Sequence, residues 1–193
     1  MSVFDRLDAT VAFSGEERML IESVRSLARE KIAPRAARYD ATGEFPWDNI
    51  RAINALGLNG IFVPEQYGGT PMSYAAYLEC VREISRACAS TGAIWATNFH
   101  AMKPLIDFGS EEQKRRLLPV IVNGGLASLT ITEATAGSDA TGMKTEFRPA
   151  GDHIMVSGTK TFITNGAHAA LYLLVGKWSE IEDGRQAISA LGL

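Results

Sequence analysis

The sequence predicts an α+β protein in which an N-terminal all-α helical domain, residues 1–123, precedes an incomplete antiparallel β-barrel-like domain, residues 124–193. Two observations predict this class. Apolar residues recur at intervals of three and four through the first two thirds of the chain, as they do on helices. From Leu126 onward, short stretches alternate apolar and small polar residues between turn-forming pairs, as strands do.

Composition excludes several classes of function. Of the 193 residues, 46% are hydrophobic, which is enough to build a sizeable core. The balance of 19 basic and 22 acidic residues leaves no basic stripe for a nucleic acid backbone. Residues 1–19 carry acidic side chains where a secretion signal needs basic ones, and no long apolar stretch follows. The sequence therefore predicts a cytoplasmic protein with no nucleic acid partner and no membrane span.

Capping and breaking residues set the expected helices. Ser14 with Glu17 is a capping box that starts a helix with an apolar stripe as far as Ile32, and Pro34 is expected to bend or weaken its last turns. A second helix is expected to open at Pro46 and to close at Gly57.

Later in this domain, residues 62–69 are expected to form a loop, because they combine a proline with paired glycines. Two longer helices should follow, over about residues 73–89 and 91–108, and a second capping box at Ser110 should start another. Pro119 and the Gly124-Gly125 pair are expected to stop it. Cys80 and Cys88 are expected to be reduced core thiols.

The β domain has room for roughly six short strands with turns at Gly151-Asp152, Ser157-Gly158 and Asn165-Gly166. The chain stops within an apolar stretch, residues 187–193, which would leave an unpaired sheet edge. We therefore expect a further portion, on the same or a second polypeptide, to complete this domain. No linker-like stretch precedes the β domain, so the boundary near Asn123 is expected to be packed.

The first informative motif is residues 130–139, Thr-Ile-Thr-Glu-Ala-Thr-Ala-Gly-Ser-Asp. Its small residues would let backbone N–H groups and the hydroxyls of Thr132, Thr135 and Ser138 converge on an anion such as a pyrophosphate. An ordinary small-residue turn between strands is the alternative that local chemistry favours. The overlapping residues 137–145 resemble a P-loop, but Met143 breaks its spacing, which excludes nucleotide hydrolysis.

The second motif is residues 158–166, Gly-Thr-Lys-Thr-Phe-Ile-Thr-Asn-Gly. Its alternation would place Phe162 and Thr164 on the same face of one strand, where an aromatic plane and a hydroxyl could meet a flat heteroaromatic ring. The alternative is a hairpin with one buried aromatic and an Asn-Gly turn. The three histidines, His100, His153 and His168, are too scattered to indicate a metal site.

Together, these two motifs strongly resemble the flavin-binding signature of the acyl-CoA dehydrogenase family. Residues 63–69, 108–114, 118–119, 183–185 and 188–190 are similar to further landmarks of that family, so the resemblance covers nearly the whole chain from Ser14. The chain departs from the family at Ala134 and Thr135, where proline and glycine are more common, and this alters the expected loop and its affinity for pyrophosphate.

The resemblance implies FAD as cofactor and assigns it a set of residues. Positions matching Leu129, Ile131 and Thr132 border the flavin ring, and that matching Ser138 meets the FAD pyrophosphate and lies near the acyl-CoA substrate. The aromatic matching Phe162 packs beside the ring, and the hydroxyl matching Thr164 reaches toward flavin N5. Gly137 and Ile163, within the same motifs, complete the expected cofactor site.

The implied activity is FAD-dependent α,β-desaturation of an acyl thioester in fatty acid metabolism. In the family, the catalytic glutamate lies in a C-terminal helical bundle, and no residue of this chain matches it, so we expect no catalytic residue here and no activity from the isolated chain. We expect acyl-CoA as the substrate and an electron-transfer flavoprotein as a partner. We also expect this chain to join its missing portion and to form a homo- or hetero-oligomer. The alternatives are a non-catalytic remnant or partner subunit of a flavoprotein complex, and a related flavoprotein acting on acyl-carrier-protein thioesters.

Overall fold

The computed structural model describes residues 12–182 and 185–192 of the chain. Backbone contacts divide it into two compact units. The first unit holds the chain up to Ala96 together with Val122–Gly124, and the second holds Thr97–Ile121 together with the residues from Gly125 onward. The two units interleave along the chain, and the predicted domain boundary near Asn123 stays a prediction.

The first unit is helical, as predicted. Its helices are α1 (Gly15–Leu27), α2 (Ala33–Thr42), α3 (Trp47–Ala55), α4 (Tyr74–Ala87) and the first part of α5 (Ala89–Phe108), and a π-helical turn at Ala28–Ile32 joins α1 to α2. Single turns of 3₁₀ helix at Leu58–Gly60 and Glu65–Tyr67 punctuate the connection between α3 and α4.

The predicted helix ends in the first unit are confirmed. Ser14 Oγ accepts from the Glu17 N–H at 3.1 Å, and the Glu17 carboxylate accepts from the Ser14 N–H at 2.8 Å, which completes the capping box. The π-helical turn immediately precedes α2, in whose first turn Pro34 lies, because proline offers no N–H to continue regular bonding. Pro46 is the N-cap of α3, and Gly57 follows it in the left-handed conformation.

The second unit contains the rest of α5, most of α6 (Glu111–Val122) and all the strands. The capping box at the start of α6 is confirmed, since Ser110 Oγ accepts from the Gln113 N–H at 3.2 Å and the Gln113 side chain accepts from the Ser110 N–H at 2.8 Å. The expectation that Pro119 stops this helix was wrong, because α6 continues through it to Val122. Gly124, with φ of 104°, follows the helix instead.

The sheet has five strands among the described residues: β1 (Ala127–Thr130), β2 (Glu146–Ala150), β3 (His153–Ser157), β4 (Leu171–Glu182) and β5 (Arg185–Gly192). Their order is β1-β4-β2-β3, with β5 also paired to β4. The long β4 pairs with three other strands: successive stretches of it pair with β1 and with β2, and it also pairs with β5. One 12-residue strand thus replaces the separate short strands that the sequence suggested.

The α+β class is confirmed and the sheet is not closed, but the prediction that all its pairings are antiparallel was wrong. β2–β3 and β4–β5 are antiparallel, and the Gly151-Asp152 turn joins β2 to β3 as expected. β1–β4 and β2–β4 are parallel. A parallel pair needs a long crossover between its strands, and alternation within each strand carries no information about that connection.

Two further observations concern the described residues. Cys80 and Cys88 are buried free thiols, as expected. Among residues 12–182 and 185–192, none of the helices has both the length and the apolar character that crossing a bilayer requires.

Candidate functional site

The two informative motifs lie side by side in the second unit. We call residues 127–133 the first segment, which is β1 with its extension, and residues 158–166 the second segment. Three of the hydrogen bonds between them follow antiparallel order: Thr161 N–H to Thr132 O (2.9 Å), Ser128 Oγ–H to Thr164 O (2.6 Å) and Asn165 Nδ2–H to Ala127 O (3.0 Å). The fold therefore brings together two motifs that are about thirty residues apart along the sequence.

The prediction that the second segment is a strand was wrong. Residues 158–163 form no regular element, and a turn follows at residues 164–168. Two of those three bonds involve side chains, and Lys160 Nζ makes two more side-chain bonds to the first segment, so no backbone ladder forms. Phe162 and Asn165 have φ of 55° and 64°, which breaks the extended conformation that alternation assumes.

The second segment holds Phe162 in an unusual state. Its backbone lies in the left-handed region, which costs a non-glycine residue about 1–3 kcal/mol. Its side chain is 95% exposed, although burying a phenylalanine is worth about 1.5–3 kcal/mol. Thr164 is also exposed. An exposed aromatic ring is available to stack on a planar ligand such as a flavin.

An ion pair between Glu133 and Lys160 links the two segments. Lys160 Nζ donates to Glu133 Oε1 at 2.8 Å and to the Ile131 carbonyl at 2.8 Å. The side chains of Lys160 and Glu133 are only 9% and 6% exposed. Burial by itself would raise the pKa of Glu133, but hydrogen bonds, led by those from Lys160 and Thr145, lower it to about 2. Glu133 is therefore held as a carboxylate anion.

Glu133 also holds the start of β2. It accepts from the backbone N–H groups of Lys144 and Thr145, at 2.7 and 3.0 Å, and from Thr145 Oγ1 at 2.6 Å. Its own backbone exchanges two hydrogen bonds with Ala136, at 3.0 and 3.2 Å, which closes a tight turn directly after the first segment. The first motif therefore contains a tight turn at residues 133–136.

All eight residues expected to contact the cofactor are accessible. The half-buried members are Leu129, Ile131, Thr132 and Ile163, and the exposed members are Gly137, Ser138, Phe162 and Thr164. Six of them belong to the two joined segments. Gly137 and Ser138 lie beyond the Glu133–Ala136 turn, outside the hydrogen bonds that join the segments. The expected convergence of hydroxyls on a pyrophosphate stays a prediction.

The two segments also border a cavity of about 400 Å³ within the second unit. It is lined by Thr130, Lys160, Ile163, Gly166, Tyr172 and Leu174. Tyr172 donates its hydroxyl hydrogen to the Gly166 carbonyl at 2.9 Å, which fixes the end of the second segment at the cavity wall. The volume of the cavity lies within the range of small-molecule binding sites.

The sequence patterns indicated no role for Glu133, Lys160 or Thr145, although the first two lie inside the two motifs. A signal for the pair was present, since each motif consists mainly of small and apolar residues and the two carry charges of opposite sign. Which charges meet depends on how the segments are placed in space. Among the described residues, no group of three or more His, Cys, Asp or Glu side chains could hold a metal ion.

Comparison with known proteins identifies the family. The family model described as acyl-CoA dehydrogenase, N-terminal domain, matches residues 14–141, and the model described as acyl-CoA dehydrogenase, middle domain, matches residues 128–191. The probable acyl-CoA dehydrogenase YngJ of Bacillus subtilis (strain 168) is 39% identical over 178 residues, which is 91% of this chain and 47% of that protein. The chain thus spans about half the length of this relative.

Solved structures agree. A glutaryl-coenzyme A dehydrogenase in complex with glutaryl-CoA superposes with a TM-score of 0.88 at 29% identity, covering 95% of this chain and 47% of that one. An acyl-CoA dehydrogenase from Bacillus anthracis complexed with FAD superposes with a TM-score of 0.81 at 29% identity, covering 94% of this chain and 31% of that one. The chain therefore belongs to the acyl-CoA dehydrogenase family, whose N-terminal and middle domains its residues 14–191 match.

Proposed function

We propose that this chain binds FAD against the first and second segments and supplies the flavin side of the α,β-desaturation of an acyl thioester. The exposed ring of Phe162, on a backbone in the left-handed region, is the observation that carries the proposal, because stacking against a flavin would bury a side chain that is now 95% exposed. The FAD-bound relative from Bacillus anthracis supports the choice of flavin.

The proposed contacts follow the accessible residues of the two motifs. Leu129, Ile131 and Thr132 border the flavin ring, Phe162 and Ile163 pack beside it, and the Thr164 hydroxyl bonds to it. Gly137 and Ser138 hold the pyrophosphate, and Ser138 also lies near the acyl-CoA. When bound, FAD supplies the hydride acceptor, and the chain's own residues hold and orient it.

Glu133 is not a candidate for the base that removes the substrate's α-proton. An efficient base has a pKa near the working pH. The Glu133 carboxylate has a pKa of about 2, is buried, and already accepts hydrogen bonds from Lys144, Thr145 and Lys160. We propose that the base is supplied from outside the described residues.

The reaction as a whole is a proposal, because the chain spans about half the length of relatives that carry acyl-CoA dehydrogenase names. Acyl-CoA as substrate is supported by the complex of a relative with glutaryl-CoA. We further propose that activity requires a further portion of protein and that the protein forms an oligomer. We also propose that it passes electrons to an electron-transfer flavoprotein and that it is located in the cytoplasm.

Flavin titration tests the proposal. FAD is added to the purified 193-residue chain, and binding is followed by flavin fluorescence and by the visible absorption band. We expect saturable binding that Phe162→Ala weakens about 10- to 100-fold, because the variant loses the burial of one phenylalanine, about 1.5–3 kcal/mol. Phe108→Ala is the matched control, since Phe108 is 87% exposed in the same unit but lies outside both segments.

Two results would count against the proposal. If the wild-type chain leaves FAD fluorescence and absorption unchanged at every concentration, the chain does not hold a flavin. If Phe162→Ala and Phe108→Ala bind FAD equally well, the flavin does not lie on the second segment.

A further inference from the structure

We propose that the Glu133–Lys160 ion pair is a positioning device that sets the spacing and orientation of the two flavin-facing segments, so that losing either partner loosens both. The role in flavin binding rests on the proposed function. The mechanical role rests on the structure of this chain alone.

The pair acts close to the proposed flavin contacts on both sides. Lys160 lies two residues before Phe162, and Glu133 directly follows Thr132. The ammonium group bonds to the Glu133 carboxylate and to the Ile131 carbonyl, both at 2.8 Å. A single side chain of the second segment thus holds two points of the first.

Few other bonds fix the relative position of the two segments near Phe162. Within the described residues, one backbone–backbone hydrogen bond joins the two segments, from Thr161 N–H to Thr132 O. A regular strand pair would have a ladder of such bonds, so their relative position here depends on side chains. At the other end, the bonds made by Ser128 and Asn165 hold the segments together. The ion pair joins the segments near Phe162.

The ion pair is rigid because hydrogen bonds from Thr145 hold Glu133 in place. Thr145 donates both its N–H and its hydroxyl to Glu133 Oε1, the oxygen that also receives Lys160. Gly158 lets the second segment approach this cluster, since a Cβ there would lie 2.4 Å from Thr145 Oγ1. Three parts of the chain, the first segment, the start of β2 and the second segment, therefore meet at one carboxylate.

An ion pair can hold the two segments in position here because both charged groups are shielded from water. The ion pair loses little strength to solvent or salt when its side chains are less than 10% exposed, whereas exposed pairs are screened. Removing one partner leaves the other charge buried and unpaired, which is costly. The surviving charge is then expected to move toward water and to pull its segment with it.

Amide hydrogen exchange on the 193-residue chain without added flavin tests the mechanical role. The variants are Lys160→Met and Glu133→Gln, with Glu146→Gln as the matched control because it removes an exposed ion pair with Arg148 in the same unit. We expect Lys160→Met to speed exchange at least tenfold in residues 127–133, and Glu133→Gln to do so in residues 158–166.

This effect across segments separates positioning from a local packing loss, which would be confined to the mutated segment. The double variant is expected to loosen the segments by less than the sum of the two single variants, because the ion pair is lost in all three. Exchange that changes only in the mutated segment, or as much in Glu146→Gln, would overturn the proposal. Should Lys160→Met fail to fold, Glu133→Gln decides, since glutamine keeps the volume and the acceptor for Thr145.

FAD titration of the same variants links the pair to the flavin. We expect both single variants to bind FAD at least tenfold more weakly than Glu146→Gln. Loosened segments with unchanged FAD affinity would overturn the link to the flavin. Absence of FAD binding by the wild-type chain would instead contradict the proposed function, and the exchange data would still decide whether the pair positions the segments.

Discussion

Gly176 on β4 is expected to be intolerant of alanine because it lies against the most deeply buried ring of the β domain. A Cβ at this position would lie 2.7 Å from two atoms of the Phe147 ring, and real Cβ atoms do not approach other atoms so closely. Phe147 is 0% exposed and packs edge-on against Trp178, with 5.8 Å between ring centroids. The ring cannot move away without disturbing this pair.

The expected loss follows from two opposing effects. Overpacking a core by one carbon costs about 1–3 kcal/mol. Replacing glycine by alanine also restricts the unfolded chain, which returns about 0.4–1 kcal/mol where the backbone conformation allows it. Gly176 has no positive φ. Gly176→Ala should therefore destabilise the second unit by about 1–2 kcal/mol.

Amide hydrogen exchange at Lys177 measures this loss locally. Its N–H donates to the Thr145 carbonyl at 2.9 Å, where β4 and β2 meet. A loss of about 1–2 kcal/mol corresponds to exchange about 5- to 30-fold faster. The double variant Phe147→Leu with Gly176→Ala should lose less than the sum of the two single variants, because leucine vacates the space of the ring edge. Exchange in Gly176→Ala that is as slow as in the wild type would refute the close packing.

The folded-state pKa of Glu133 is lowered from its usual 4.5 to about 2, so the stability that it contributes is complete above pH 4.5 and is lost as the pH falls toward 2. Acid unfolding followed by circular dichroism should therefore show a smaller stability difference between wild type and Glu133→Gln at pH 2 than at pH 6, and an unchanged difference would contradict the assignment. Gly69→Ala should destabilise the first unit by at least about 1–3 kcal/mol in urea unfolding, because its Cβ would lie 1.8 Å from the Val63 carbonyl oxygen. A wild-type midpoint for this variant would show that the loop at residues 63–69 is not closely packed.

Helix boundaries in this protein follow from local chemistry, and the sequence predicted them well. The capping boxes at Ser14 and Ser110 depend on side chains three residues apart, and Gly57 ends α3 through its own backbone freedom. Pro119 was misjudged because α6 buries Leu118 and Ile121 on either side of it, and such packing can keep a helix going despite the break that a proline favours.

Local sequence patterns were enough to predict the α+β class, the main helices and the two motifs that carry the resemblance to a flavoprotein family. Periodicity, capping and turn chemistry act over a few residues, so they can be read along the chain. The parallel pairings of β4 and the irregular path of residues 158–166 were decided only by the tertiary structure. The meeting of Glu133 with Lys160 was decided there too, because it depends on which segments the fold places side by side, 27 residues apart in the chain.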